Sequence, residues 1–203
     1  MARAYSVNNV LTAKFPELPF DGAWLEAVGK PQPTGTWFVY GPPKNGKTTF
    51  TMMLAKYMTN FKRVLYLPYE EGISLTTQMA LERVQMREVG AKMAIGLPEP
   101  VNELMVRLEK HRSHDVVITD SIQFAGFNWE EYKRLKANFP QKIFTYISHI
   151  ENGKPDGKTA QRIMRDANVV FRVEGFRAFP TGRYGGGKPI DIWPEKAKQY
   201  WGE

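Results

Sequence analysis

Gly41-Pro42-Pro43-Lys44-Asn45-Gly46-Lys47-Thr48 stands between an apolar run, Trp37-Phe38-Val39-Tyr40, and a helix-forming run from Thr48 to Tyr57. The spacing G-x-x-x-x-G-K-[S/T] between a strand and a helix is the phosphate-loop pattern. Glycines let the main chain close around an anion without Cβ clashes. The loop amides and the following helix N-terminus then point at the bound phosphates. Lys47 would reach the β- and γ-phosphates, and the Thr48 hydroxyl would ligate Mg²⁺. The candidate nucleotide contacts are Gly41, Pro42, Pro43, Lys44, Asn45, Gly46, Lys47, Thr48 and Thr49. The bland alternative is an ordinary Gly/Pro turn, and the flanking strand and helix weigh against it.

The surrounding chain has the size and composition of one domain. It has 203 residues, 42% hydrophobic and 24% charged, enough to bury a core. A net charge of +7 suits an acidic partner such as nucleic acid, although a surface tuned only for solubility carries as much. The absence of cysteine excludes disulfides and cysteine-based zinc sites and is compatible with a cytoplasmic location. No apolar run reaches the length of a membrane span, and the N-terminus lacks the apolar core of a signal peptide.

Along the chain, residues 1–34 read as an irregular segment broken by Phe15-Pro16, Leu18-Pro19 and Lys30-Pro31-Gln32-Pro33. Its aromatics Phe15, Phe20 and Trp24 suggest packing onto the domain. Residues 35–203 then alternate strand and helix. Strands are expected at Thr36–Tyr40, Val64–Leu67, Lys92–Leu97, Asp115–Ser121, Ile143–Ser148 and Asn168–Val173. Helices are expected from Lys47, from a Ser74 cap through to Gly90, from Val101, from an Asn128 cap, and over Thr159–Ala167. This alternation predicts an α/β fold with a mostly parallel central sheet flanked by helices, ending in a short β-rich extension. Ligands in such sheets bind at the carboxyl ends of the strands.

Three further residues fall at those ends. Asp120 closes the apolar strand Val116–Thr119 and is placed to hold Mg²⁺. Glu70, with Glu71, ends the strand after the phosphate-loop helix, where a carboxylate could take a proton from attacking water. His149 follows the strand ending at Ser148. Beyond it, Lys154, Lys158, Arg162 and Arg165 form a basic stretch suited to phosphates, and Phe124, Phe127 and Trp129 could stack on bases. A solvated lid and ordinary core aromatics are the alternatives. Trp193, Tyr200 and Trp201 either pack over adenine or anchor the tail.

In this order, phosphate loop, Leu65-Tyr66-Leu67-Pro68-Tyr69-Glu70-Glu71, Asp120-Ser121-Ile122-Gln123 and Ser148-His149 with its Gly/Lys-rich loop, the chain resembles the RecA-like ATPase superfamily. It looks most like RadA (Sms) and the DnaB-type helicase core, over roughly residues 35–193. The resemblance implies ATP and Mg²⁺ as cofactors, Glu70 as catalytic base and His149 as γ-phosphate sensor. It also implies a mobile DNA-contacting loop over residues 151–158 and a second DNA-facing loop over residues 124–129. Thr181-Gly182-Arg183-Tyr184-Gly185 corresponds to a Lys-x-Arg segment whose cations reach a neighbour's nucleotide. Arg183 matches, while Thr181 stands where the family has lysine. The expectation is therefore an ATPase core acting with single-stranded DNA in recombination, repair or replication, as a ring, a filament or with a protein partner. A nucleotide-switched regulator without DNA is the alternative, and a small-molecule phosphotransferase is the weakest reading.

Overall fold

The computed structural model describes residues 4–203. In chain order the elements are α1 (Val7–Leu11), α2 (Gly22–Val28), β1 (Gly35–Tyr40), α3 (Lys47–Met58), β2 (Val64–Pro68), α4 (Leu75–Arg83), a 3-10 turn (Met86–Lys92) and β3 (Met93–Ile95). They continue with α5 (Val101–Glu109), β4 (Val116–Asp120), α6 (Ile122–Ala125), α7 (Trp129–Asn138), β5 (Ile143–Ser148), β6 (Ile150–Glu151) and β7 (Lys154–Pro155). The last are α8 (Lys158–Asp166), β8 (Val169–Glu174), β9 (Arg177–Gly182), β10 (Ile190–Asp191) and α9 (Pro194–Trp201).

Eight strands form one sheet in the order β10-β9-β8-β1-β5-β4-β2-β3. The run from β8 to β3 is parallel, and β9 and β10 close one edge antiparallel. The expected mostly parallel α/β sheet is what the chain forms. The central strands are buried on both faces, so their apolar residues divide by parity. Trp37, Val39, Val64, Tyr66, Val116, Ile118, Ile143 and Ile147 face one core with Phe50, Leu54 and Met58 of α3. Phe38, Leu65, Leu67, Val117, Phe144 and Tyr146 face the other, with Leu104, Tyr132, Leu135 and Ile163 from α5, α7 and α8.

Two local readings need correction. The helix expected from Ser74 to Gly90 stops at Arg83. Gln85 adopts φ 54° and a 3-10 turn follows, with Gly90 breaking its regular backbone. The segment read as irregular holds two short helices, and Phe15 is 59% exposed rather than packed. Leu18, Phe20, Ala27 and Val28 are buried against the first core. No helix among the described residues is long and apolar enough to cross a membrane.

Candidate nucleotide-binding site

The parallel register brings the ends of β1, β2, β4 and β5 to one edge of the sheet: Pro68 lies beside Asp120, and Tyr40 beside Ser148. The turns that follow these ends line a cleft of about 1310 Å³ containing Gly46, Lys47, Thr48, Thr49, Glu70, Asp120 and His149.

The phosphate loop is shaped by its neighbours. A Cβ on Gly41 would lie 1.8 Å from the Val173 carbonyl oxygen of β8, so only glycine lets the loop start there. Gly46 is left-handed at φ 100° and caps α3. Asn45 fastens the loop to the β8–β9 turn. Its Oδ1 accepts from Gly175 N at 2.7 Å, its carbonyl accepts from Phe176 N at 3.2 Å, and its Nδ2 donates to the Pro43 carbonyl at 2.8 Å. Lys47 Nζ donates to the carbonyls of Gly41 at 2.9 Å and Pro42 at 2.8 Å, which hold the ammonium over the loop. Burial lowers its pKa below the ordinary lysine value, against the pull of Asp120 and Glu70.

Asp120 is 9% exposed and accepts a hydrogen bond from Tyr66 Oη at 2.7 Å. Burial pushes its carboxyl up to about 6; the Tyr66 hydroxyl pulls the other way, and the charges of Glu70 and Glu71 add to the rise. The Glu70 backbone N–H donates to the Asp120 carbonyl at 3.1 Å, fixing the start of the acidic turn beside the strand. Glu70 Oε2 lies 2.8 Å from His149 Nε2, with both side chains about one-third exposed at 31%. The hydroxyl of Thr48 and the carboxylate of Asp120 are hard oxygen donors that fit Mg²⁺, which takes few protein ligands when phosphates supply the rest. No cluster of three metal-ligating side chains occurs among the described residues.

His149 is wired to the loop beyond it by Gln123. The Gln123 Nε2 donates to Ser148 Oγ and to the Asp156 carbonyl, both at 2.8 Å, while its Oε1 accepts from His149 N at 3.3 Å. Residues 150–155 form a two-stranded hairpin, β6–β7, turning at Asn152 and Gly153 with φ of 51° and 76°. These are the positive φ values that a tight Asn-Gly hairpin turn requires. Lys154, Lys158, Arg162 and Arg165 are exposed along this hairpin and α8.

Phe127 departs from its expected role. It is 5% exposed, edge-on to Tyr69 with ring centroids 5.6 Å apart, so its face is not available to a base. Phe124, 59% exposed and 6.2 Å from the His149 ring, is the aromatic that faces solvent here. Arg162 lies 5.8 Å over the Trp129 ring. Arg183 lies beyond the end of β9, where its N–H donates to the Asn168 carbonyl. That is the edge of the sheet opposite the phosphate loop, because β9 runs antiparallel to β8. It therefore does not join the cleft of its own chain.

Four cleft residues went unassigned in the sequence. Tyr66 and Gln123 sit inside quoted motifs, and polar side chains next to Asp120 and His149 were the available signal. Arg83 donates to Thr49 Oγ1 at 3.2 Å. Lys196 lies 4.0 Å over the ring of Trp193, which is 43% exposed and lines the cleft with Phe176 and Ile192.

No family model and no curated protein sequence matches the chain. Solved structures do. The flagellar accessory protein FlaH from Methanocaldococcus jannaschii aligns with a TM-score of 0.60 at 15% identity, over 87% of this chain and 94% of that one. The RadB recombinase aligns with a TM-score of 0.57 at 16% identity, over 83% and 91%. The ATPase domain of a helicase aligns with a TM-score of 0.53 at 11% identity, over 81% and 84%. Sheet order, phosphate-loop position and these likenesses agree: the chain has the RecA-like P-loop ATPase fold.

Proposed function

We propose that this chain binds Mg·ATP in the cleft and hydrolyses it, acting as a DNA-associated accessory ATPase in recombination, repair or replication. The observation that carries the reading is the contact between Glu70 and His149, 2.8 Å apart on one cleft wall with Lys47, Thr48 and Asp120. A carboxylate oriented by an imidazole next to a phosphate loop is built to handle a proton at the γ-phosphate.

In this mechanism the loop amides and the α3 N-terminus bind the β- and γ-phosphates. Lys47 turns from the Gly41 and Pro42 carbonyls to the phosphate oxygens, a short movement. Thr48 and Asp120 would hold Mg²⁺, which neutralises charge on the phosphate oxygens when bound. Glu70 accepts a proton from the attacking water. The new bond forms to the γ-phosphorus, the bond to the β–γ bridging oxygen breaks, and ADP leaves. His149 exchanges its hydrogen bond from Glu70 to the γ-phosphate, and Gln123 passes that exchange to the β6–β7 hairpin. Phe176, Ile192 and Trp193 are positioned beside Gly46 to pack on the base. Arg183 serves a neighbouring copy.

Exposed Lys154, Lys158, Arg162, Arg165 and Phe124 favour DNA as the partner of the hairpin. The burial of Phe127 keeps a regulator without DNA as the second reading. The test is steady-state ATP hydrolysis with and without single-stranded DNA at low and moderate salt, with Lys47→Ala as the blank. Stimulation that fades with salt is expected. A rate indifferent to DNA selects the regulator reading, and no rate above the blank removes the ATPase assignment.

A further inference from the structure

Residues 4–17 form an arm that is exposed along its whole length. Within it α1 is closed by a capping box between Ser6 and Asn9, yet it buries none of its residues. Val7, Val10 and Leu11 are spaced i, i+3, i+4 on one helical stripe and are 76%, 54% and 78% exposed. An apolar stripe on a well-capped helix, presented to solvent, needs a partner.

A receptor of matching character lies on the same chain. Between α4 and the 3-10 turn is a groove of about 790 Å³, floored by Leu81, Met86 and Ile95 and rimmed by Ile73, which is 70% exposed. Leu75 and Met79 extend this surface at 70% and 47% exposure. The rim carries Glu82 and Glu88 against Arg87, a net acidic edge for Lys14, which follows the α1 stripe. The arm leaves through α2, which packs on β9 and β10 at one edge of the sheet, whereas the groove borders β3 at the other.

We propose that the arm of one copy docks its Val7–Val10–Leu11 stripe into the α4 groove of a second copy. Because donor and receptor are different surfaces on opposite flanks, the contact is head-to-tail and repeats into a ring or filament. A second observation points the same way. The turn after Arg183 is fastened to α2: Gly187 N donates to the Ala27 carbonyl at 2.9 Å, and a Cβ on Gly186 would meet that same oxygen at 2.5 Å. Arg183 and the arm therefore share a flank, while the groove and the nucleotide cleft share Glu88. One docking event brings the Arg183 flank of one copy to the cleft side of the next. This consequence rests on the nucleotide reading; the docking does not.

The chain has no cysteine, so pairwise cross-linking is clean. Val10→Cys and Ile73→Cys chains, mixed and mildly oxidised, are expected to give a disulfide heterodimer in preference to either homodimer. The doubly substituted chain is expected to give a ladder of multimers. Sedimentation should show wild-type self-association weakened at least about tenfold by Val10→Asp with Leu11→Asp, and equally by the surface substitution Ile73→Asp. Lys47→Ala is expected to keep the cross-link, so failure of the nucleotide reading and failure of the docking appear separately. The proposal is overturned if the double-cysteine chain closes on itself as a monomer, which would put the arm in its own groove. It is also overturned if the heterodimer fails to exceed the homodimers, or if wild-type chains sediment as monomers up to about 100 μM with and without Mg·ATP.

Discussion

Replacing Asp120 by asparagine should make the protein more stable while removing its grip on Mg²⁺. The side chain is 9% exposed, and burial raises its pKa from 3.8 to about 6. In the unfolded chain the carboxyl ionises near its ordinary value; in the folded chain it does so only near 6. Below both values neither state carries the charge, so folding costs nothing extra. As pH rises between them the unfolded state ionises first and stability falls. Above about 6 both states are ionised and the full penalty remains. At about 1.4 kcal/mol for each pH unit of separation, the penalty is about 3 kcal/mol. Asparagine has the same shape, keeps an oxygen for the Tyr66 hydroxyl and carries no charge. For a chain of this length the gain is about 6–12 °C in melting temperature. The assay is thermal and urea unfolding of wild type and Asp120→Asn at pH 7.5 and pH 4, without Mg²⁺ or nucleotide. The advantage should be large at pH 7.5 and nearly vanish at pH 4. An equal advantage at both values, or none at pH 7.5, would refute the argument that ionisation of a buried carboxylate is what destabilises the fold.

Other substitutions test the site piece by piece. Glu70→Gln should leave nucleotide binding intact and lower turnover by about 10²–10⁴-fold, read by equilibrium binding beside single-turnover hydrolysis; undiminished hydrolysis removes Glu70 from the base role. Gly41→Ala places a methyl group 1.8 Å from the Val173 carbonyl, so it should abolish nucleotide binding as Lys47→Ala does, with a lowered melting temperature that Lys47→Ala need not share. If the hairpin contacts single-stranded DNA, Lys154→Glu with Lys158→Glu should weaken binding and flatten the salt dependence by about 1.4 in log–log slope, measured by titration at several salt concentrations. Trp193→Ala should raise the nucleotide dissociation constant by about 5–100-fold if its face stacks on the base, and should abolish any nucleotide-dependent change in tryptophan fluorescence.

The sheet and the phosphate loop were legible because each is written in contiguous residues. Strand–loop–helix around Gly41–Thr48 has a fixed spacing, and the strand ends at Glu70, Asp120 and His149 follow from short apolar runs with a polar stop. What escaped depends on contacts between distant segments. Phe127 reads like any loop aromatic, and only the fold shows Tyr69 and the second core closing over it. Leu81, Val84 and Val89 continue a helical-looking pattern past Arg83, but the chain turns at Gln85 and packs the same residues from a different backbone. The β6–β7 hairpin was the reverse case: Asn152-Gly153 is a strong local turn signal, passed over because the flanking strands have only two residues each. Arg183 was found by its motif, whereas its place at the far edge of the sheet follows only from the antiparallel return of β9.

Gln123 meets its three neighbours through one rigid carboxamide. Its plane cannot rotate to release Ser148 without also losing alignment with the Asp156 carbonyl and the His149 amide. A joint of this kind does not slide; it is either engaged or released. Movement of the hairpin should therefore occur in discrete steps, one per turnover, so that a dye on the Asn152–Gly153 turn would blink between two levels rather than drift.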